Sequence, residues 1–243
     1  EIMPSLVGSE MCIRDRSTAS HEIKNLISFI NSSYQIIQMQ HPETKDYKFW
    51  DDMGDYIKKL IYFMDRTTIY RYCTKPDIEE FNITELLYQI PDEIDNANPD
   101  KDRELLLDID NSNIWVNGDR EQILTAILEV VNNCYDVTSE SDIIEINCHL
   151  DEKRKYYVIT ISNSNPMPDI EFSKAGIGFD HTENIPKDCK DILCKPFYTT
   201  KKNHVGIGLS IADCVCRTHS GYLEISHSNG ITSVRLLFPI SRF

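Results

Sequence analysis

The sequence predicts two parts: an α-helical hairpin that pairs with a second copy into a four-helix bundle, then an α/β sandwich with a mixed sheet and helices on one face. Three observations carry this. Apolar residues recur every three or four positions from Ser17 to Tyr72, with one short break at His41-Pro42-Glu43-Thr44. After Lys75-Pro76-Asp77 the pattern changes to short alternating runs interleaved with helical ones. The last two runs meet at Asn229-Gly230, a strand-pair turn signal. The expected division is therefore 17–75 for the hairpin and 76–243 for the sandwich.

Residues 1–16 stand apart. Met11 to Arg16, with the preceding Pro4 to Glu10, resembles a translated sequencing-adaptor fragment, and the stretch has no helical or strand period. It is expected to be non-native and disordered, with the natural chain extending further N-terminal. It lacks the apolar core of a signal peptide.

Ser17 to Gln40 reads as a helix with Ser17, Thr18 and Ser20 as candidate caps and a seam of Ile23, Leu26, Ile30, Tyr34 and Ile37. Pro42 ends it. A second helix runs from about Lys45 to Tyr72, with Trp50, Met53, Ile57, Leu60 or Ile61, and Met64 as its seam. A lone hairpin would leave both seams wet, which predicts a homodimer. In the second part, Ile83 to Ile90 reads as a short helix capped by Asn82. Leu105 to Ile109 and Ile114 to Val116 read as short strands. Gly118-Asp119 opens a long helix. Ile143 to Leu150 and Tyr156 to Ser162 pair around the charged turn Asp151-Glu152-Lys153-Arg154. Val205 to Thr218 is glycine-led and then helical, and Tyr222 to Ser226 and Thr232 to Phe238 form the final pair.

Composition excludes several functions. The 243 residues are enough for one large or two small domains. The net charge of −14, without a basic stripe, argues against nucleic acid as a partner. No apolar run approaches the ~20 residues of a membrane span, so no membrane contact is expected in this segment. The eight cysteines form no C-x-x-C pair. They read as reduced thiols of a cytoplasmic protein, several of them core filler.

The chemistry concentrates in four places. In the long helix, apolar Ile127, Val130, Val131 and Cys134 share one stripe. Glu129, Asn133 and Asp136 share another, so their polar tips can converge. A carboxylate and an amide oxygen one turn apart suit a hard cation that bridges phosphates, which marks Glu129 and Asn133 as candidate Mg²⁺ ligands. Asn163 ends a strand. Lys195-Pro196-Phe197-Tyr198-Thr199-Thr200-Lys201 is an unusual string. Gly206-Ile207-Gly208-Leu209 precedes a helix, where backbone N–H groups can face phosphate oxygens.

In this order, these segments resemble the transmitter region of bacterial sensor histidine kinases, from about Ser17 to Pro239. His21-Glu22-Ile23-Lys24-Asn25 is similar to the family's histidine box. The helix around Asn133 is similar to its N-box, Pro196 to Lys201 to its F-box and lid, and Gly206 to Leu209 to its second glycine box. Thr232 matches a threonine lining the adenine pocket. The resemblance implies a dimerisation hairpin followed by a Bergerat-type ATP-binding domain. It implies ATP and Mg²⁺ as cofactors, and a response regulator receiver domain as partner. His21 would take the γ-phosphoryl group, with Glu22 orienting the ring and Asn25 placing a water for dephosphorylating the regulator. Asn133 and Glu129 would hold Mg²⁺. Asp136, Phe197, Thr200, Lys201, Gly206, Gly208, Leu209 and Thr232 would line the nucleotide site. The parent would be cytoplasmic in this part and membrane-anchored, if at all, through a region not in this sequence.

Three departures stand out. Leu26 replaces a proline after the histidine box. Glu129 replaces the first N-box asparagine. Gyrase-, Hsp90- and MutL-like relatives carry a hydrolytic glutamate at that spacing, which makes ATP hydrolysis an alternative. The first glycine box, D-x-G-x-G in the family, has no clear match. Asn163, at the strand end, takes the adenine-contacting role in one register; Asp180, seventeen positions on, takes it in another; Gly176-Ile177-Gly178 is a third candidate. A degenerate kinase serving as scaffold or phosphatase is the remaining alternative.

Overall fold

The computed structural model describes residues 5–97, 104–110, 113–139, 142–151, 153, 155–164, 187–199, 201, 204–228 and 230–242. The chain divides into two compact units, Glu1–Thr68 and Ile69–Phe243.

The first unit is a helical hairpin. Helix α1 spans Ser5–Gln40. It begins before the expected Ser17 start. No proline follows Pro4 in that stretch to stop a helix propagating upstream from the apolar seam. The turn is a 3-10 helix, Pro42–Asp46, with Thr44 buried. Phe49 has φ +72°, and α2 then spans Trp50–Tyr72, beginning later than the expected Lys45 because the turn consumes that residue. Inside the hairpin, Tyr34 stacks on Trp50 with ring centroids 4.8 Å apart. Gly54 is buried because a Cβ there would lie 2.5 Å from the Tyr34 hydroxyl. Much of the predicted seam stays uncovered: Leu26 is 63% exposed and Leu60 50%.

The second unit is the mixed sandwich expected from the sequence. Its elements are β1 (Glu79–Asn82), α3 (Ile83–Leu87), α4 (Ile90–Ala97), β2 (Leu105–Ile109), β3 (Trp115–Gly118) and α5 (Arg120–Val137). They continue with β4 (Ile144–Asp151), β5 (Tyr156–Asn163), α6 (Lys187–Leu193), α7 (Gly208–Thr218), β6 (Tyr222–Ser228) and β7 (Ile231–Arg242). The sheet order is β1-β3-β7-β5-β4-β2, with β6 also pairing with β7. Among the described strands, only β2 and β4 pair in parallel. Strand β1 and helix α6 carry no pattern long enough to predict. The helix expected over 83–90 ends at Leu87, and a second helix, Ile90–Ala97, follows. Asn82 caps the first of them by accepting from the Thr84 N–H at 3.0 Å.

Alternation assigns the faces. Tyr157, Ile159 and Ile161 of β5 are fully buried, as are Ile144 and Ile146 of β4 and Leu236 of β7. These point at α5 and α7, which pack on each other and on this face. On the outer face, Ser162 and Ser233 share a hydroxyl bond of 2.9 Å.

The expected linker Lys75-Pro76-Asp77 is not slack. Gln122, fully buried on α5, donates to the carbonyls of Tyr72 and Lys75 at 3.1 and 3.3 Å. Asp119 accepts from the Asp77 N–H at 3.0 Å. Thr218 of α7 donates to the Cys73 carbonyl at 3.3 Å, and Cys73 itself is fully buried. The last turn of α2 therefore belongs to the second unit, and the division between units falls earlier than the sequence suggests.

Candidate functional site

Connectivity gathers the predicted residues at one end of the sandwich. Asp119 starts α5 by accepting from the Gln122 N–H at 3.1 Å. The helix ends at Val137, close in sequence to the start of β4 at Ile144. Helix α7 runs from Gly208 to Thr218 and returns through a short turn into β6 at Tyr222. The C-terminal half of α5, the N-terminus of α7, the start of β4 and the end of β5 therefore meet at the same end.

There Glu129, Asn133 and Gly208 come together. A Cβ on Gly208 would lie 3.0 Å from Glu129 Oε2 and 3.2 Å from Asn133 Nδ2. Glycine thus lets the first turn of α7 approach the polar stripe of α5. Glu129 is only 9% exposed. Asp136, one turn beyond, does not join this pair directly. Its carboxylate accepts from Lys201 Nζ at 3.2 Å and lies 3.5 Å from His204 Nδ1. Lys201 Nζ also donates to the backbone and side-chain oxygens of Asn133, at 3.3 and 3.5 Å. The Lys201 ammonium thus sits between the Asn133 side-chain oxygen and the Asp136 carboxylate. The hard oxygen donors of Asn133, Asp136 and Glu129 fit Mg²⁺.

The loop between Phe197 and Gly206 is stapled at its base. The Phe197 N–H donates to the Gly206 carbonyl at 2.8 Å. Both residues have positive φ, +69° and +71°. At Gly206 a Cβ would collide with the Tyr198 carbonyl, so glycine is required. Phe197 pays that conformation without glycine's freedom and remains 57% exposed. Leu209 packs partly buried against the core. Lys190 of α6 pairs with Asp213 of α7 at 3.3 Å, tying the segment before the loop to the helix after it.

Asn163 and Thr232 are in register across β5 and β7. Thr232 Oγ1 lies 3.0 Å from His227 Nδ1 on β6. Asp180 and Thr200 lie outside the described residues, as does Gly176-Ile177-Gly178.

On the hairpin, His21, Glu22 and Asn25 are all exposed. The ring contact comes from Asn25, whose Nδ2 is 3.2 Å from His21 Nδ1. Glu22, the residue expected to orient the ring, makes no hydrogen bond to it among the described residues. Adjacent side chains on a helix diverge by roughly 100°, whereas those four apart meet. As placed, Nδ2 donates and the ring proton sits on Nε2. Turning the amide by 180° lets Oδ1 accept from Nδ1–H and frees the Nε2 lone pair.

Sequence reasoning missed His204, His227, Gln122 and His219. His227 was readable: a two-residue turn at 229–230 fixes Ser228 opposite Ile231 and His227 opposite Thr232. His219 accepts from the Asp119 N–H through Nε2 at 2.8 Å, and its Nδ1 lies 2.7 Å from the Val215 carbonyl. Burial pushes its pKa below the ordinary histidine value, against the Val215 carbonyl and Asp119, which raise it. Burial likewise pushes the Cys134, Cys148 and Cys194 thiols up to about 12. These are inert packing groups, as their core-filler reading expects.

Residues 118–242, just over half of the chain, match the family described as histidine kinase-, DNA gyrase B-, and HSP90-like ATPase. Sporulation kinase C of Bacillus subtilis is 22% identical over 231 residues, 91% of this chain and 47% of that protein. The sensory histidine kinase/phosphatase NtrB of Rhodobacter capsulatus is 20% identical over 224 residues, 91% of this chain and 60% of that one. The chain spans about half the length of the curated relatives it matches. Among solved structures, full-length ShkA in complex with AMPPNP superposes with a TM-score of 0.68 at 11% identity, covering 95% of this chain and 46% of that one. The fold is thus shared along both units, and the resemblance to sensor histidine kinases is borne out by the relatives.

Proposed function

The chain belongs to the histidine kinase-, DNA gyrase B-, and HSP90-like ATPase family, and from that premise we propose that it is the transmitter core of a sensor histidine kinase. It takes the γ-phosphoryl group of ATP onto His21 and passes it to an aspartate on a response regulator receiver domain. The observation that carries this reading is the exposed His21 ring held by Asn25, in a chain that also carries the family's ATPase domain. An imidazole with Nδ1–H bonded to the Asn25 oxygen presents the Nε2 lone pair to phosphorus. The N–P bond forms, the bond from phosphorus to the β,γ-bridging oxygen breaks, and ADP leaves.

The cation corner at Asn133, Glu129 and Asp136 would hold Mg²⁺, which neutralises phosphate charge when bound. Lys201 would leave Asn133 and Asp136 for the phosphates as the cation takes its place. The N-terminus of α7 at Gly208 supplies N–H groups toward them. The hairpin, as far as Thr68, serves as the phosphoacceptor and dimerisation unit. Its uncovered stripe of Ile23, Leu26, Ile30, Met53 and Leu60 is buried against a second copy. The chain from Ile69 on is the catalytic part. The Asn25 amide also suits placing a water for regulator dephosphorylation.

The buried Glu129 beside Gly208 supports a second reading, hydrolysis with Glu129 as general base. Incubation with γ-labelled ATP and Mg²⁺ separates the two. Transfer gives an acid-labile, base-stable protein label that disappears in His21→Ala. Free phosphate without label, lost in Glu129→Gln, would replace the kinase by an ATPase. Neither label nor nucleotide binding would leave a scaffold.

A further inference from the structure

Register and alternation place Asn163, Thr232 and His227 in one row across β5, β7 and β6. The row lies on the helix-covered face, continuing the line of Ile161, Val234 and Ile225 beside it. The row beside it is apolar; in this one the β5, β7 and β6 positions are polar, with apolar Ile144 of β4 next to Asn163. It sits at the end of the sandwich where α5 ends and α7 begins. Asn163 is 6% exposed.

We propose that Asn163 makes the site a purine site open to both bases, binding guanine as well as adenine nucleoside triphosphates. This deepens the proposed function and rests on it, since it takes Asn163 as the residue facing the base. Adenine shows a donor at its 6-position and an acceptor at N1. Guanine shows the reverse, an acceptor at O6 and a donor at N1. A carboxylate only accepts, so one turned to the 6-position admits the adenine amino group and repels the guanine oxygen. An amide offers one of each and reverses them by a 180° turn. For adenine, Oδ1 accepts from the amino group while Nδ2 donates to N1. For guanine, Nδ2 donates to O6 while Oδ1 accepts from N1–H. The rest of the row does not oppose the turn. The Thr232 hydroxyl and the His227 ring, 3.0 Å apart, can also exchange donor and acceptor roles through rotor and tautomer.

The test is nucleotide binding to the full chain, by calorimetry with the non-hydrolysable β,γ-imido analogues of ATP and GTP and Mg²⁺. The two dissociation constants should fall within about ten-fold of each other. Asn163→Asp should raise the ratio of the guanine to the adenine dissociation constant by about ten- to hundred-fold, the cost of facing O6 with a carboxylate. Asn163→Ala should weaken both alike. Tight adenine binding with guanine binding more than about a hundred-fold weaker in the native chain would overturn this inference and leave the kinase reading intact. Failure to bind either analogue would overturn the kinase reading itself, and this inference with it. If Asn163→Asp does not fold, the native-chain ratio still decides.

Discussion

The two units spend similar apolar sequence in opposite ways. In α2 only Gly54 and Ile57 are buried, and the described part of α1 buries none of its residues. Helix α5 of the second unit buries ten of its eighteen. Its core joins α3, α4, α5, α7 and the sheet into one cluster. The hairpin leaves its apolar stripe open, for the proposed second copy to close, whereas the sandwich buries its stripes against elements of its own chain. An apolar stripe read from sequence thus predicts burial, but not whether the burying surface lies in the same chain.

The sharpest way to break that contrast is to truncate one residue of each kind. Ile159, fully buried in the central strand β5, should cost about 2–5 kcal/mol as Ile159→Ala, through lost burial and the cavity left behind. Leu26→Ala should leave the sandwich's unfolding midpoint unchanged and shift the monomer–dimer equilibrium toward monomer. Denaturant titration followed by a sandwich-specific probe, beside light scattering at two protein concentrations, measures both. A concentration-independent hairpin, indifferent to Leu26→Ala, would mean that the hairpin needs no second copy.

How much of this was legible follows the same divide. The helices and most strands were readable because their periods are long and one face meets a core. The convergence of Glu129 and Asn133 followed from helical spacing, and Gly206 and Gly208 from the need for close backbone approach. Asp136 was placed on the right face, but its partners Lys201 and His204 come from a loop with no period to read. The resemblance assigned Glu22 to the His21 ring and Asn25 to a water; helix geometry adds a ring contact from Asn25, four residues on. Strand β1 is four residues long and reads Glu-Glu-Phe-Asn, too short and acidic to signal a strand. The connector looked like a linker because lysine, proline and aspartate are linker residues, while the groups that hold it, Asp119, Gln122 and Thr218, lie far along the chain.

That connector gives the middle-sized effect. Gln122→Met keeps the side chain's length and removes its two donated bonds, leaving the carbonyls of Tyr72 and Lys75 without them. The expected cost is about 1–3 kcal/mol to the sandwich. Hydrogen exchange should rise at the amides of Cys73, Thr74 and Lys75, whose N–H groups bond back to Ile69, Arg71 and Tyr72. Exchange in β5 should change only by the global loss. If the connector amides of the native chain already exchange as fast as an unfolded peptide, the last turn of α2 belongs to neither unit, and the boundary returns to Lys75.

The smallest effect is a pH dependence confined to the sandwich. His219 is 3% exposed and accepts from the Asp119 N–H, so the folded chain holds its ring with Nε2 unprotonated. Burial lowers its pKa in the fold relative to the ordinary value near 6.5. Below that value the unfolded chain binds a proton that the folded chain resists. The histidine's contribution to stability is therefore whole above about pH 6.5 and is lost as pH falls from there toward the folded pKa. One titrating group limits the slope to about 1.4 kcal/mol per pH unit. His219→Gln retains an acceptor for the Asp119 N–H and removes the titration. Its stability should be lower than the native chain's at pH 7.5 and fall less steeply between pH 6.5 and 5.5. Chemical unfolding at each pH reads the two slopes. Parallel slopes in that window would mean that His219 binds its proton equally in the folded and unfolded chain.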